Sequence, residues 1–161
     1  MAFKTKIARY TSEGKTIIYL DESGFAHDSP RQYGYAFKGQ RCFGIHKWNA
    51  KGRTNVIGAI IVFTFLTLTL FHSTINSDVF YAWLTQDLLP KVSKDSVIVM
   101  DNATFHKRHD MRQAIRERGC HLEFLPPYSP DLNPIEHKWA QAKSIRSQHR
   151  CSIDDLFAHH F

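Results

Sequence analysis

The stretch SVIVMDN, residues 96–102, joins a short apolar, β-branched run to two polar residues. Such a run is typical of a buried strand. A similar run, TIIYL at residues 16–20, is followed by Asp21. About 80 residues separate the two runs, which is ample for a crossover that makes them parallel neighbours. The sequence therefore predicts that Asp21 and Asp101 meet at the carboxyl edge of a sheet, where open α/β sheets bind their ligands.

Further elements are predicted on both sides of these runs. The apolar, Thr-containing stretch 54–72 favours two strands, at about 54–61 and 65–72, although no Gly, Asn or Pro marks a turn between them. Asn76 is expected to cap a helix that stops at Pro90. A basic amphipathic helix is expected at about 105–118, ended by Gly119, and a last strand at 121–125. This order predicts one α/β domain over residues 1–161, with helices covering a sheet.

A third acidic residue follows the rigid sequence PPYSP at residues 126–130. Asn133 is expected to cap a helix that has Pro134 at its first position and extends to about Ser147. Glu136 lies in the first turn of that helix. If the helix packs on the edge of the sheet, Glu136 joins the two aspartates.

Three converging carboxylates would repel one another without a cation. Mg²⁺ prefers hard oxygen ligands and retains several waters, so a few carboxylates and a substrate phosphate suit it. Two such ions about 3.5–4 Å apart activate the attacking oxygen and stabilise the leaving oxygen in displacement at phosphorus. Each residue also has an ordinary explanation: Asp21 and Asp101 as turn residues, and Glu136 as part of a capping box at its own helix start.

The net charge and its distribution along the chain indicate the kind of partner. The net charge is +6 and the sequence pI is about 9.3, which favours a polyanionic partner. No acidic residue occurs from Ser29 to Ser77, a stretch that contains Lys38 and Arg41; it is either a solvated basic loop or a phosphate-binding surface.

The sequence argues against a disulfide-bonded, zinc-binding, membrane-spanning or secreted protein. Three cysteines without paired spacing argue against a disulfide framework and favour a reducing cytosol. The ten histidines lack spaced ligand pairs, so no zinc site is predicted. The longest apolar run is too short for a membrane span, and the amino terminus does not resemble a secretory signal.

Three motifs occur in one order: YLDESGF at 19–25, VIVMDNA at 97–103 with His106, and LPPYSPDLNPIE at 125–136 with Trp139. Together they closely resemble the catalytic domain of mariner-superfamily transposases, in particular the bacterial insertion-sequence branch. The 34 residues between Asp101 and Glu136 are typical of that superfamily's Asp-Asp-Glu triad.

The resemblance implies a ribonuclease H-like fold with a central mixed five-stranded sheet flanked by helices. It assigns Asp21, Asp101 and Glu136 as catalytic residues and metal ligands. It implies Mg²⁺ or Mn²⁺, with two ions when DNA is bound, and cleavage at transposon ends followed by strand transfer into target DNA. DNA contacts are expected from Lys38, Arg41, Asn102, His106, Lys107, Lys138 and Lys143.

The chain also departs from the family pattern. Relatives carry amino-terminal helix-turn-helix modules that recognise the element's ends, and such a region is expected to be absent here. A second copy of the chain or a separate DNA-binding subunit is therefore expected as a protein partner, in the cytoplasm at the nucleoid. Two alternatives stay open: an inactive DNA-binding remnant that inhibits transposition, and a host nuclease of the same fold.

Overall fold

A computed structural model describes residues 2–26, 53–102, 108–159 and 161. The predictions for Lys38, Arg41, His106 and Lys107 lie outside these described residues. Within the described part of the chain, no helix is long and apolar enough to cross a membrane.

The described residues form a five-stranded sheet in the order β3-β2-β1-β4-β5. The strands are β1 (Ile17–Ala26), β2 (Arg53–Ile61), β3 (Thr64–Phe71), β4 (Val97–Met100) and β5 (His121–Phe124). Both β1–β4 and β4–β5 are parallel pairs, whereas β2 and β3 are joined by a two-residue turn, which requires antiparallel strands. The sheet is thus mixed, and the predicted ribonuclease H-like architecture is confirmed.

Strand β1 is longer than the sequence predicts. The sequence places its end at about residue 20, yet the strand continues through Asp21 to Ala26. The physical reason is that β1 lies between β4 and β2 in the sheet. Strand β4 ends at Met100, so the later residues of β1 pair with β2 alone. Asp21 is therefore a strand residue, and its interpretation as a turn residue is wrong.

The hairpin between β2 and β3 turns at Val62 and Phe63, both largely exposed. Val62 has φ 61°, in the left-handed region. Two-residue hairpin turns need positive φ, which glycine adopts most readily. This explains why the sequence showed no turn signal here: a valine occupies a position that glycine usually fills.

The structure has five α-helices in its described part: α1 (Phe3–Ser12), α2 (Ser77–Trp83), α3 (His109–Glu117), α4 (Ile135–His149) and α5 (Ile153–His159). Asn76 caps α2 as predicted, since its Oδ1 accepts from the backbone N–H of Val79 at 2.9 Å. The chain continues from α2 through a π-helical turn (Leu84–Leu88) and a 3₁₀ turn (Leu89–Lys91). Helices α1 and α5 were not predicted from the sequence.

The residues cluster into two compact units. The first comprises Met1–Asp21, Gly58–Leu68 and Ile75–Glu136. Its core includes Val97, Val99 and Leu125, against which Phe3, Ile7 and Tyr10 of α1 pack.

The second unit comprises Glu22–Ile57, Thr69–Thr74 and His137–Phe161. In its described part, Phe25 contacts Trp139 and Phe157 edge to face, with ring centroids 6.3 and 5.5 Å apart. Trp139 of α4 is buried.

Candidate active site

The register of β1 and β4 brings the two aspartates together. Ile17 pairs with Val97, and Tyr19 pairs with Val99. The same offset, carried two residues further, places Asp21 opposite Asp101. Asp21 is buried and Asp101 is partly buried. The buried residues Ile18, Leu20, Ile98 and Met100 hold both strands in the sheet, and Asp21 and Asp101 line one cavity beyond the last residue of β4.

The connection from β5 to α4 brings in the third carboxylate. The N–H of Leu125 donates to the carbonyl of Met100 at 2.8 Å, which fixes the start of the proline-rich turn beside the end of β4. The 3₁₀ turn Pro130–Leu132 then redirects the chain. Asn133 Oδ1 accepts from the N–H of Ile135 at 3.2 Å, so the predicted cap is present and α4 begins there. Glu136 consequently lies in the first turn of α4.

A cavity of about 420 Å³ brings these segments together, and all its lining residues belong to the first unit. It is lined by the three acidic residues Asp21, Asp101 and Glu136 and by Asn102, Leu125, Pro126, Pro127, Tyr128, Ser129, Pro130 and Asn133. The structure thus brings the predicted triad onto one surface, together with Asn102.

Glu136 does not close a capping box at its own helix start. In that motif its carboxylate would accept from the N–H of Asn133, but this N–H donates to the carbonyl of Pro130 at 3.0 Å. The N–H of Glu136 donates to the carbonyl of Asn133, also at 3.0 Å. The helix start is satisfied by backbone groups and by Asn133, which leaves the Glu136 carboxylate to face the cavity.

The donor set fits a hard divalent cation. Three carboxylates from different segments line one cavity, and oxygen ligands are those that Mg²⁺ and Mn²⁺ prefer. Among the described residues, however, no three His, Cys, Asp or Glu side chains stand close enough to form a ready-made metal group.

Arg108 anchors the chain where it enters α3. Its guanidinium donates to Asp110 and to Asp78 at 2.6 Å each, and it lies over the ring of Tyr81 at 5.1 Å. These hydrogen bonds raise the pKa of Arg108, and the guanidinium lowers the pKa of the Asp110 carboxyl. Arg108, at the amino end of α3, is thereby tied to Asp78 in the first turn of α2.

The two predicted DNA contacts on α4 lie in the second unit. Lys138 Nζ stands 5.6 Å from the ring centroid of Phe161, and Lys143 Nζ stands 5.1 Å from that of Phe25. Both ammonium groups therefore take part in cation–π contacts. Their contact with DNA stays a prediction.

The sequence does not predict a functional role for two of the cavity residues, Asn133 and Tyr128. The sequence predicts Asn133 only as a helix cap, yet the residue is 2% exposed and its Nδ2 has no hydrogen-bond partner in the structure. A cap uses only the amide oxygen, so any buried Asn cap leaves a donor to be explained. For Tyr128 the only signal in the sequence is its place between prolines, because a tyrosine in a tight turn of this kind is hard to bury.

The family of the chain is shown by its match over residues 16–156 to the family described as DDE superfamily endonuclease. Two transposases of Caenorhabditis elegans are similar. The transposable element Tc3 transposase is 29% identical over 131 residues, which are 76% of this chain and 40% of that protein. The Tc1 transposase is 40% identical over 53 residues, which are 33% of this chain and 19% of that protein. The chain spans less than half the length of these relatives.

Solved structures agree on the fold. The catalytic domain of Mos1 mariner transposase superposes with a TM-score of 0.66 at 16% identity, covering 96% of this chain and 73% of that one. A Mos1 paired-end complex with the left transposon end gives a TM-score of 0.61 at 18% identity, covering 89% of this chain and 46% of that one. The Mos1 catalytic domain has also been solved with Raltegravir and Mg or Mn. The chain has the fold of the Mos1 catalytic domain, and by its family match over residues 16–156 it belongs to the DDE superfamily endonucleases.

Proposed function

We propose that this chain cleaves DNA strands at transposon ends and joins them to target DNA, using Mg²⁺ or Mn²⁺ held by Asp21, Asp101 and Glu136. The observation that carries the proposal is the single cavity lined by all three carboxylates. Family membership supports the endonuclease chemistry, and the Mos1 complex with a transposon end supports DNA as the partner.

The three carboxylates come from segments that are far apart in sequence, on β1, after β4 and on α4. Drawing them closer together costs electrostatic repulsion, which a divalent cation removes. Bound ions supply an activated attacking oxygen and stabilisation of the leaving oxygen. We expect two ions with DNA bound, because the scissile phosphate provides further oxygen ligands.

The protein groups have simple parts in this chemistry. The rigid turn at residues 126–130 and the cap at Asn133 hold Glu136 at the cavity, while the β1–β4 register holds the two aspartates. In strand cleavage, a water oxygen forms a bond to phosphorus, the bond from phosphorus to the 3′ oxygen breaks, and that oxygen takes up a proton. The resulting 3′-hydroxyl attacks a target phosphate in the same way during strand transfer. No protein nucleophile is needed.

The positive net charge suits a polyanionic substrate. Lys138, Lys143 and Asn102 are the described residues that we expect to contact DNA. A second copy of the chain or a separate DNA-binding subunit is the protein partner that we propose.

The first prediction concerns the triad. Supercoiled plasmid incubated with the protein and Mn²⁺ or Mg²⁺ should be nicked, and EDTA should stop the reaction. Asp21→Asn, Asp101→Asn and Glu136→Gln should each lower the nicking rate more than about 100-fold, since even disturbing the groups around metal ligands costs about 10- to 100-fold. Asp131→Asn is the matched control, because Asp131 is an exposed acid on the same turn that does not line the cavity.

Equal nicking by the wild type and the three triad variants would defeat the proposal. Salt-sensitive DNA binding without any metal-dependent nicking would favour the inactive remnant instead.

A further inference from the structure

Tyr128 combines two features that folding alone does not favour. Its side chain is 101% exposed, so its ring gains nothing from burial. Its φ is 56°, in the left-handed region, where a residue other than glycine is strained. Among the described residues, Tyr128 is the most exposed of the large hydrophobic side chains. A strained and fully exposed aromatic residue is better explained by a ligand than by stability.

The turn that carries Tyr128 is rigid. Pro126 and Pro127 precede it, Pro130 follows it, and proline fixes φ at each of these positions. Ser129 Oγ donates to the carbonyl of Pro127 at 3.2 Å, which closes the turn around Tyr128. The backbone of Tyr128 is therefore ordered before any ligand arrives, and binding would restrict only the two side-chain torsions.

The position of Tyr128 indicates what it would bind. It lines the same cavity as Asp21, Asp101 and Glu136. A site that cleaves a phosphodiester must hold the nucleotides on either side of that bond. The group that a fully exposed aromatic ring beside such a site fits best is a nucleobase, because base–aromatic stacking is strong and tolerates any sequence.

We propose that Tyr128 stacks on a base of the DNA strand next to the scissile phosphate and so positions that strand over the carboxylates. This inference rests on the proposed DNA-cleaving function. It makes Tyr128 a substrate-binding residue that acts through its ring and not through its hydroxyl. The unpaired base of a frayed or single-stranded DNA end is the fitting occupant, because a base within a duplex has both faces covered by its neighbours.

The test uses the whole chain and short duplexes with a single-stranded tail that contains 5-iodouracil, a photoreactive base that cross-links to stacked aromatic rings. With Ca²⁺ in place of Mn²⁺ to slow cleavage, irradiation should cross-link the tail to the wild type, and peptide mapping should locate the link at Tyr128. Tyr128→Phe should keep the cross-link, whereas Tyr128→Ala should lose it. In parallel, Tyr128→Ala should weaken binding of the tailed duplex by about 5- to 150-fold, which corresponds to the stacking energy of one base.

The two variants also distinguish an effect of the Tyr128 ring from an effect of its hydroxyl or of a change in stability. Because Tyr128 is fully exposed, Tyr128→Ala should keep the wild-type melting temperature and wild-type Mn²⁺ binding. In steady-state cleavage it should raise KM more than it lowers kcat, and Tyr128→Phe should stay within about twofold of wild type. Cross-linking and affinity unchanged in Tyr128→Ala would overturn the proposal, as would a Tyr128→Phe variant as weak as Tyr128→Ala, since the hydroxyl would then be the active group.

DNA cleavage by the chain and base stacking on Tyr128 are tested separately by these measurements. If the wild type does not nick DNA but Tyr128 cross-links to the tail, the stacking site stands and the cleavage function falls. If the wild type nicks DNA and Tyr128→Ala binds and nicks equally well, the function stands and the stacking site falls.

Discussion

Asn133 caps the helix whose first turn carries Glu136, so its side chain affects both the helix start and the cavity. Its amide oxygen accepts from the N–H of Ile135, which would otherwise be an unpaired donor at the start of α4. Its backbone N–H donates to the carbonyl of Pro130, and its amide nitrogen is buried beside the cavity. The direction of α4, and therefore the position of Glu136, depends on this residue.

Removing the cap should destabilise the protein. Asn133→Ala should lower the free energy of unfolding by about 1 kcal/mol, the usual cost of losing a helix cap. Asn133→Ser keeps a capping oxygen and should recover most of the loss. Urea denaturation monitored by circular dichroism measures both. A serine variant no more stable than the alanine variant would show that the cap is not the source of the effect.

At the scale of elements, the hairpin between β2 and β3 holds strain at its tip. Val62→Gly should raise the free energy of unfolding by about 1 kcal/mol, because strain of about 1–3 kcal/mol is relieved while glycine's extra chain entropy returns about 0.5–1 kcal/mol. Phe63→Gly is the control, since the φ of Phe63 is not positive; it should not stabilise. Chemical denaturation measures the free energy of unfolding of both variants. A Val62→Gly protein less stable than the wild type would contradict the account.

A polar cluster ties the end of α1 to the amino end of β5. Asp95 accepts hydrogen bonds from Lys15 Nζ and from His121 Nε2, each at 2.8 Å. The hydrogen bond from Lys15, followed by that from His121, holds the pKa of the Asp95 carboxyl below its ordinary value. A carboxyl with a lowered folded pKa stabilises the protein at pH above its unfolded pKa, and loses that contribution as the pH falls through the lower folded value.

The stability of the wild type should therefore decline as the pH falls below about 4, the ordinary aspartate value, partly through Asp95. Asp95→Asn should decline less steeply, and Lys15→Gln should resemble it. Asparagine is a fair substitute because Asp95 has φ 68°, a conformation that Asn also tolerates. Thermal unfolding from pH 2 to 7 measures the slopes. Equal slopes in the wild type and Asp95→Asn would refute this role.

The elements differ in how far the sequence could predict them. Strand β4 and the start of α4 were predicted because each carries its own signal, an apolar run in one case and an Asn-Pro cap in the other. Helix α1 was missed because Ala2 offers no side-chain cap, although Phe3, Ile7 and Tyr10 have helical spacing. The extension of β1 past Asp21 depends on pairing with β2, and such long-range pairing leaves no local trace.

The site was predictable to a similar degree. Asp21, Asp101 and Glu136 could be predicted as site residues because each occurs in a recognisable motif. All three line one cavity, and their role as metal ligands stays a prediction. The sequence does not predict the exposure of Tyr128 or the unpaired amide nitrogen of Asn133, because both depend on the path of the turn between β5 and α4.

At the scale of the whole molecule, the site depends on the tertiary fold more than on any single element. Its three carboxylates come from residues 21, 101 and 136, which only the parallel register and the proline-rich turn bring to one cavity. We expect bound cations to draw the three carboxylates together, because a divalent cation removes the repulsion between them. Metal affinity should accordingly depend on all three residues and on an intact sheet.

Anomalous diffraction from crystals of the chain soaked in Mn²⁺ tests this claim most directly. The account predicts an anomalous peak within the cavity, with oxygen atoms of Asp21, Asp101 and Glu136 as ligands at the first manganese site or shared between two. A manganese ion bound elsewhere, or one held by the aspartates while Glu136 stays turned away even with DNA present, would contradict it.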